Sequence, residues 1–515
     1  MFTPWVAANC RHRRMTEIIN TVEQIDAVPH NSAARRSLYA ARVKIHPKRG
    51  AGYFRNLKWL VMAVTLGIYY ITPWLRWDRG SYAPDQAVLV DIVHRRFYFF
   101  FIESWPQEFY YVAGLLIMAG IGLFLITSTV GRAWCGYACP QTVWTDLFLV
   151  VERWIEGDRN ARIKLDAAPW TIGKLWKRVS KNILWLLIAV ATGGAWIFYF
   201  ADAPTLAAQF FTLQAPAVAN VTVAVLTATT FVLAGYLREQ VCTYMCPWPR
   251  IQAAMLDEDS LVVTYNDWRG EPRSRHRKKM EATGEKIGDC VDCNACVAVC
   301  PAGIDIRDGQ QLECITCALC IDACDNVMDK IGLPKGLISY STLRTYDAQK
   351  AGLPAVVGWR SFLRPRTFVY VAVFAAVGLA MLYALLHRDR LDITVQNDRN
   401  PQFVTLSDGS IRNGFTIKIL NMEQRPRKFV LGLDGFPGAS MTMVGVDEKA
   451  TQQIAIDVEA DKLRAVKVYV TASPQFLSDV QTDFAFTVVE EVAGVATESR
   501  RRLAIFHAPP KEPNP

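Results

Sequence analysis

The chain has 515 residues, too many for one small domain, and 51% of them are hydrophobic although 20% are charged. The mean hydropathy of +0.12 is high for a soluble protein, and apolar stretches of membrane-span length alternate with basic loops. The net charge is +9, and the 13 cysteines are clustered, with none after Cys324. Such clustering excludes a disulfide framework and indicates metal ligation.

The N-terminal segment is basic and lacks an apolar core, so it contains no recognisable signal peptide. Cys10 stands alone in it. Five later stretches are apolar over about 18–20 residues, the length that crosses a bilayer as a helix. They are 57–75, 109–129, 182–200, 219–237 and 368–387.

Lys and Arg in the connecting loops predict the orientation, because these residues accumulate on the cytoplasmic side. The first 58 residues contain eleven of them and the loop 130–181 contains nine, whereas 201–218 contains none. We therefore expect a cytoplasmic N-terminus. The predicted domains are a cytoplasmic segment at 1–56, a four-helix membrane region at 57–247, a cytoplasmic ferredoxin-like domain at 248–367, a fifth span at 368–387 and a periplasmic domain at 388–515.

The second and fourth spans each end in the pattern C-x3-C-P, with Cys135 and Cys139 in the first motif and Cys242 and Cys246 in the second. Cysteines at positions i and i+4 lie on one helical face, so each motif could present two sulfurs side by side. The proline after each second cysteine stops or bends the helix. If the two spans are neighbours, four sulfurs converge near the cytoplasmic interface.

Three interpretations of these four sulfurs compete. Inert cysteines are one, because free cysteine packs well in protein cores, and disulfides are disfavoured on a reducing face. Metal binding is favoured, since soft sulfur ligands select copper(I), zinc or an iron–sulfur centre. Met245 lies inside the second motif and adds a candidate thioether ligand. We interpret the set as a copper or redox site, and the spacing alone leaves the metal open.

Two further cysteine runs carry the most specific signal in the chain. The pattern C-x2-C-x2-C-x3-C occurs at 290–300 and again at 314–324. Thiolates at this spacing bind [4Fe-4S] clusters, and the fourth cysteine of each run ligates the other cluster. Zinc also accepts four cysteines, but zinc motifs usually show paired C-x2-C units. The sequence predicts two clusters, one held by Cys290, Cys293, Cys296 and Cys324 and one by Cys314, Cys317, Cys320 and Cys300.

Two other features say less about chemistry. The basic run Arg273–Lys279 is better interpreted as a solvated or lipid-headgroup patch than as a nucleic-acid site. After residue 391, short β-branched and aromatic runs at near-regular spacing predict an antiparallel β-sandwich.

From Lys44 onward the chain resembles the membrane-bound polyferredoxin family called CcoG, FixG or RdxA. The resemblance depends on the segments 131–144, 155–159, 238–247, 269–273 and 288–328 and on a C-terminal immunoglobulin-like unit. It implies a multi-domain bacterial inner-membrane protein. The expected fold combines five transmembrane α-helices, a bacterial-type two-[4Fe-4S] ferredoxin domain of the α+β class and an immunoglobulin-like β-sandwich.

The resemblance also implies an activity, because members of this family are accessory proteins of cbb(3)-type cytochrome c oxidase. We expect an oxidoreductase that reduces Cu(II) to Cu(I), with copper as substrate or bound ion near the four C-x3-C-P sulfurs. Expected partners are the lipid bilayer, an unknown cytoplasmic electron donor, oxidase subunits and a copper chaperone or transporter, with no nucleic acid. A homodimer is a further possible assembly. The alternatives are a quinol-linked electron relay and a non-enzymatic, redox-sensing assembly scaffold.

Overall fold

The computed structural model describes residues 24–29, 44–80, 83–275, 284, 286–423, 425–445, 450–477, 480–492 and 495–510. Cys10 and the part of the basic run from His276 to Lys279 lie outside the described residues. The chain divides into two compact units, one within 1–75 and 86–381 and the other within 76–85 and 382–515.

The first unit is mainly helical. Its α-helices are α1 (Tyr53–Ile71), α2 (Tyr110–Val130), α3 (Ala133–Tyr137), α4 (Pro140–Glu156), α5 (Arg159–Ala167), α6 (Ile172–Ile197), α7 (Ala203–Phe211), α8 (Ala217–Thr230), α9 (Trp248–Met255), α10 (Asp267–Gly270), α11 (Ala295–Val299), α12 (Leu319–Ile331), α13 (Leu343–Lys350) and α14 (Pro365–Leu386). A π-helix at Phe231–Leu237 continues α8, and a second π-helix covers Val241–Met245.

Two small antiparallel sheets complete this unit. The first joins β1 (Val88–Asp91), β2 (Arg96–Phe99) and β3 (Ile102–Ser104) in that order. The second pairs β4 (Val262–Tyr265) with β5 (Ile338–Ser341), one strand on each side of the cysteine runs in sequence. The pair therefore brings together the two ends of the segment that contains the cysteine runs.

Among the described residues, four helices are long and apolar enough to cross a membrane: Tyr110–Val130, Ile172–Ile197, Ala217–Leu237 and Pro365–Leu386. They confirm four of the predicted spans. The helix at Ile172 begins well before the predicted start at residue 182, because its polar first half is held by protein partners. Lys174 donates to backbone carbonyls at the end of α5, and Lys181 lies 2.9 Å from the carboxylate of Glu156.

The predicted first span, 57–75, corresponds to α1, which ends before Pro73 because proline cannot continue an α-helix. The first turn of α1 does not have the apolar character of a lipid-facing segment. Arg55 and Lys58 are buried and lie 2.9 and 3.6 Å from the carboxylate of Asp146 on α4. α1 is not among the four apolar helices, so the count of five spans stays a prediction.

The second unit is a sandwich of two antiparallel sheets, which confirms the predicted C-terminal β-sandwich. Its strands are β6 (Leu391–Asn397), β7 (Val404–Thr405), β8 (Ile411–Asn421), β9 (Arg427–Asp434), β10 (Ala439–Met443), β11 (Gln453–Val458), β12 (Leu463–Ala472), β13 (Gln481–Val492) and β14 (Val495–His507). One sheet has the order β10-β12-β8-β6, with β7 beside β8, and the other has the order β11-β9-β13-β14. Phe415 from the first sheet and Phe429 and Phe486 from the second are fully buried in one core.

Candidate functional site

The two ferredoxin-like runs follow the same backbone course. Asp292 and Asn294 in the first run have φ angles of 47° and 59°, and Thr316 and Ala318 in the second have 54° and 59°. Left-handed residues turn the chain sharply, so each C-x2-C-x2-C loop folds back before its helix begins. The helices α11 and α12 start directly after Asn294 and Ala318.

Each run contributes three cysteines to one cavity and its fourth cysteine to the other. The first cavity is lined by Cys290, Cys293, Cys296 and Cys324. The second cavity is lined by Cys314, Cys317, Cys320 and Cys300, and Cys296 also borders it. The structure therefore brings the eight cysteines together in the grouping that crossed ligation of two [4Fe-4S] clusters requires.

Burial makes several of these thiols poor anions. It raises the pKa of Cys296 and Cys300 to about 12 and that of Cys314 to about 11. A buried thiolate becomes favourable when a metal replaces the proton and supplies positive charge. The donor set and its surroundings thus fit metal clusters, which the eight cysteines would hold.

Arg307 fixes the loop around the first cavity, which its side chain helps to line. Its guanidinium donates hydrogen bonds to Asp292 and Asp305, both at 2.7 Å, and to Asn294 at 2.8 Å. Charge-assisted bonds of this kind are stronger than neutral ones, so they hold the left-handed residues of the loop in place.

The two C-x3-C-P motifs share a local geometry that differs from the predicted helical face. The backbone N–H of Cys139 donates to the carbonyl of Trp134 at 2.9 Å, and that of Cys246 donates to Val241 at 2.8 Å. Both bonds span five residues, which is wider than an α-helical turn. Cys139 and Cys246 have extended backbone and lie outside the short helices. The expectation that each pair shares one face of a continuous α-helix is therefore wrong, since the chain changes direction at the proline.

Burial and mutual charge both act on the cysteines of the two motifs. The pKa of Cys242 is raised to about 12 by burial and then by the charges of Cys139, Cys135 and Cys246. Burial also raises the pKa of Cys135, and Cys139 and Cys246 add to the effect. We call these four cysteines the four-sulfur set. Met245 is 60% exposed, unlike the half-buried cysteines, and this exposure does not favour a ligand role.

Arg132 and Gln252 lie beside the four-sulfur set. Arg132 is buried, donates to the carbonyl of Leu312, and opposes the effect of burial by lowering the pKa of Cys135 and Cys242. The fully buried Gln252 accepts a hydrogen bond from the thiol of Cys135 at 3.1 Å. These two side chains therefore orient the first motif.

The first C-x3-C-P motif is in direct contact with the second ferredoxin-like run. A Cβ atom on Gly136 would lie 2.7 Å from the carbonyl oxygen of Ile315 and 3.0 Å from the Cα of Cys317. Only glycine permits this approach. The hydroxyl of Tyr137 donates a hydrogen bond to the carbonyl of Cys317 at 3.2 Å. Cys135 is thus the neighbour in sequence of Gly136, and Gly136 contacts the backbone of Cys317, which lines the second cavity.

Asp322 makes a second junction between the ferredoxin-like segment and the helices. Its carboxylate accepts hydrogen bonds from the backbone N–H groups of Phe54 at 3.2 Å and Arg55 at 2.8 Å. These are orphan donors of the first turn of α1. A carboxylate there caps the helix and complements its dipole, so α12 is held against the start of α1.

Comparison with known proteins decides the family. The nitrogen fixation protein FixG of Rhizobium meliloti (strain 1021) is 61% identical over 489 residues, which cover 90% of this chain and 93% of FixG. The chain belongs to the FixG family. Two relatives from Cereibacter sphaeroides, RdxA and RdxB, are 56% and 58% identical and cover 84% and 82% of the chain and 90% of their own lengths.

Three family models match this FixG-family chain. A 4Fe-4S dicluster domain matches residues 237–343, a 4Fe-4S binding domain matches 112–158, and the immunoglobulin-like fold at the C-terminus of FixG matches 381–509. The last description assigns FixG to the oxidoreductases. A solved FixG-related protein from Vibrio parahaemolyticus aligns with 23% of the chain and 96% of its own length, at 20% identity and a TM-score of 0.19. The protein is therefore a membrane-located iron–sulfur oxidoreductase of the FixG family.

Sequence reasoning missed the residues that join the parts of this FixG-family protein. Gly136 carried a signal, because a glycine between two motif cysteines often marks a close backbone approach. Arg132, Gln252 and Asp322 carried none, since their partners lie far away along the chain.

Proposed function

We propose that this protein is a membrane-bound cupric reductase that supplies Cu(I) for the assembly of a cbb(3)-type cytochrome c oxidase. The contact of Gly136 and Tyr137 with Cys317 carries the proposal. In this contact the first C-x3-C-P motif touches the backbone of the second ferredoxin-like run. We propose that electrons pass between the two across this contact.

The roles of the residues follow from this contact. When bound, the clusters supply the storage and transfer of single electrons. The eight cysteines of the two runs hold them, and Arg307 fixes the first loop. Arg132 and Gln252 orient the first motif of the four-sulfur set, and Asp322 keeps the ferredoxin-like segment docked.

Copper is the proposed substrate. Cu(II) takes up one electron and becomes Cu(I), and soft sulfur ligands favour the reduced ion. We assign the reduction to the neighbourhood of the four-sulfur set. Cu(I) then leaves for a copper chaperone, a transporter or an oxidase subunit.

We further propose five membrane passes in the bacterial inner membrane, with α1 as the first. The N-terminus and the ferredoxin-like unit would face the cytoplasm, and the β-sandwich would face the periplasm. The Lys and Arg of the first 58 residues and of the loop 130–181 support this orientation.

The test uses the full chain, purified anaerobically in detergent, reduced with dithionite and then desalted. Addition of Cu(II) with a Cu(I)-specific chelator should yield one chelated Cu(I) for each electron lost, while the visible absorbance of the oxidised clusters returns. Zn(II) is the matched control, because it cannot accept an electron. Clusters that reoxidise without any chelatable Cu(I) contradict the proposal.

A quinol-linked electron relay is the second candidate, because a cleft reaches Cys242. The cleft lies between α1, α4 and the segment 301–315, and its lining includes Gln141, Thr145 and Leu149. The exposed surface of the cleft is mostly apolar, although its lining also includes charged residues such as Asp146, Arg238 and Glu239. A largely apolar surface with some polar groups is typical of sites for small organic molecules, and a hydroquinone headgroup has this character. Reduction of the clusters by a hydroquinone analogue, with no response to Cu(II), would favour this candidate.

A further inference from the structure

We infer that the two cluster sites are unequal: the first electron that the protein takes up settles in the first cavity, beside Arg307, and the second cavity has the lower reduction potential. The two cavities are similar in size, with volumes of about 340 and 380 Å³. The loops around them make the same left-handed turns, so the backbone contributes alike to both. The inequality therefore comes from the side chains in the two walls.

The wall of the first cavity is polar. Besides its four cysteines, it includes the guanidinium of Arg307, the side chain of Tyr265 and the amide of Asn294. Arg307 is the one charged side chain among the described residues that line this cavity. Its carboxylate partners, Asp292 and Asp305, do not line it. The positive member of each ion pair therefore borders the cavity.

The wall of the second cavity is apolar. Apart from cysteines, every described residue that lines it is valine, alanine, isoleucine or leucine, such as Val263, Ile304 and Leu319. Arg132 donates to the carbonyl of Leu312 in the nearby loop, but it is not one of the lining residues. Within the part of the chain that the structure describes, no charged side chain therefore borders the second cavity.

This contrast determines the order of the two reduction potentials. Reduction of a [4Fe-4S] site adds one negative charge, and its potential depends on nearby charge and hydrogen bonds. A cation in the wall stabilises the added charge, whereas an apolar wall makes it costly. Burial raises the pKa of Cys296 to about 12, and the charge of Arg307 opposes this more strongly than that of Asp305 adds to it. We therefore expect the higher midpoint potential at the first cavity.

The site with the lower potential is the one that contacts the membrane helices. Gly136 approaches Ile315 and Cys317, and both of these residues line the second cavity. Ile315 and Ala302 also line the cleft that reaches Cys242. In a consequence that rests on the proposed function, the second cavity delivers the electron to Cu(II) and the first cavity stores the other. Protein reduced by two electrons would then reduce Cu(II) faster than protein reduced by one.

The experiment is an equilibrium redox titration of the anaerobically purified full-length protein, followed by EPR and visible absorbance. The wild type should show two one-electron centres that differ by more than about 59 mV, which is a tenfold preference of one electron for one site. Arg307→Gln should lower the potential of the higher-potential centre alone. Arg307→Lys keeps the cation and should restore most of the wild-type value. Coincident centres in the wild type, no shift in Arg307→Gln, or a shift of its lower-potential centre would each overturn the inference.

Arg275→Gln is the matched control. Arg275 donates to the same carboxylate of Asp292 at 2.7 Å, but its side chain is 50% exposed and does not line the cavity. Both potentials of this variant should stay at their wild-type values. A shift as large as that of Arg307→Gln would show that the charge of the whole region, and not the wall of the cavity, determines the potential.

Two cysteine variants assign the centres even if Arg307→Gln loses its iron. Cys314→Ala removes a ligand of the second cavity, so the intact centre that remains should be the one with the higher potential. Cys290→Ala removes a ligand of the first cavity and should leave the centre with the lower potential. The reverse assignment overturns the inference. Iron analysis of each arginine variant, with about eight atoms expected, checks that both clusters are present.

The same samples are assayed for Cu(II) reduction, which separates the two proposals. Unequal potentials in the assigned order, without copper reduction, would uphold the unequal sites and refute the cupric reductase. Copper reduction by a protein with two equal potentials would leave the proposed function standing and refute the unequal sites.

Discussion

The phenol of Tyr137 donates a hydrogen bond to the carbonyl of Cys317, although the two residues are 180 positions apart in the chain. Tyr137 lies between the cysteines of the first C-x3-C-P motif, and Cys317 lies in the middle of the second ferredoxin-like run. The bond therefore joins a membrane-helix end to the loop around the second cavity.

Gly136→Ala should destabilise the junction. The new Cβ would lie 2.7 Å from the carbonyl oxygen of Ile315, and overpacking of this kind typically costs about 1–3 kcal/mol. We expect a lower midpoint of thermal unfolding in detergent, followed by the visible absorbance of the clusters, and slower reduction of Cu(II). Gly120→Ala is the control, because nothing lies within 4 Å of its Cβ position. Equal midpoints for the two variants would contradict the close approach.

Crossed ligation predicts which pairs of cysteine substitutions affect the same cluster and which affect both clusters. Cys290→Ala and Cys324→Ala remove ligands of the same cavity, so the double variant should lose no more iron than either single variant. Cys290→Ala combined with Cys314→Ala removes one ligand from each cavity and should lose about twice as much. Iron analysis with EPR checks this. If Cys290→Ala is additive with Cys324→Ala but not with Cys300→Ala, ligation is within each run and not crossed.

Asp322→Ala should loosen the start of α1. The carboxylate caps the backbone N–H groups of Phe54 and Arg55, and losing a cap costs about 0.5–2 kcal/mol. The midpoint of thermal unfolding should fall, and limited proteolysis should cut nearer the start of α1. Asp329→Ala on the same helix is the control, since that side chain is 55% exposed and pairs with Lys335 at the surface. An unchanged cleavage pattern in Asp322→Ala would show that the cap does not hold the two elements together.

Glu152→Gln should be strongly destabilising. The Glu152 carboxylate is fully buried and lies 2.9 Å from both Arg162 and Arg238, and breaking a buried pair typically costs about 3–5 kcal/mol. Glu258→Gln is the control, because its carboxylate is 70% exposed.

The contribution of Glu152 to the free energy of unfolding depends on pH with a definite sign. Burial alone would raise the pKa of Glu152. The charges of Arg238 and then Arg162 outweigh this effect and lower the pKa from 4.5 to about 2. A depressed carboxyl pKa contributes stability that is fully present above pH 4.5 and is lost as the pH falls towards 2. The unfolding free energy of the wild type should therefore fall more steeply over that window than that of Glu152→Gln. Parallel curves would refute the coupling.

The cluster cysteines could be predicted from sequence because three of the four that line each cavity lie in one short run. The fourth comes from the other run, and the repeated C-x2-C-x2-C-x3-C pattern predicted this crossed grouping of Cys324 and Cys300. The short β-branched and aromatic runs after residue 391 likewise predicted the sandwich, and β8 shows the alternation of buried residues expected of its strands.

The remaining features depend on contacts between distant segments. Hydropathy treats Arg55 as a polar end of a span and does not detect its pairing with Asp146. The i and i+4 rule failed at Cys139 and Cys246, because each cysteine precedes a proline at the beginning of a new helix and has extended backbone. No local pattern could predict that Gln252 accepts a bond from Cys135.

The most direct test asks whether electrons leave through the four-sulfur set. Dithionite-reduced, desalted wild-type protein and a variant with Cys135, Cys139, Cys242 and Cys246 changed to alanine are rapidly mixed with Cu(II). The return of cluster absorbance and the appearance of chelated Cu(I) are followed together. We expect both signals to rise in step in the wild type, whereas the variant, with its ferredoxin-like clusters intact, stays reduced. A variant that reoxidises and releases Cu(I) at the wild-type rate would contradict the account.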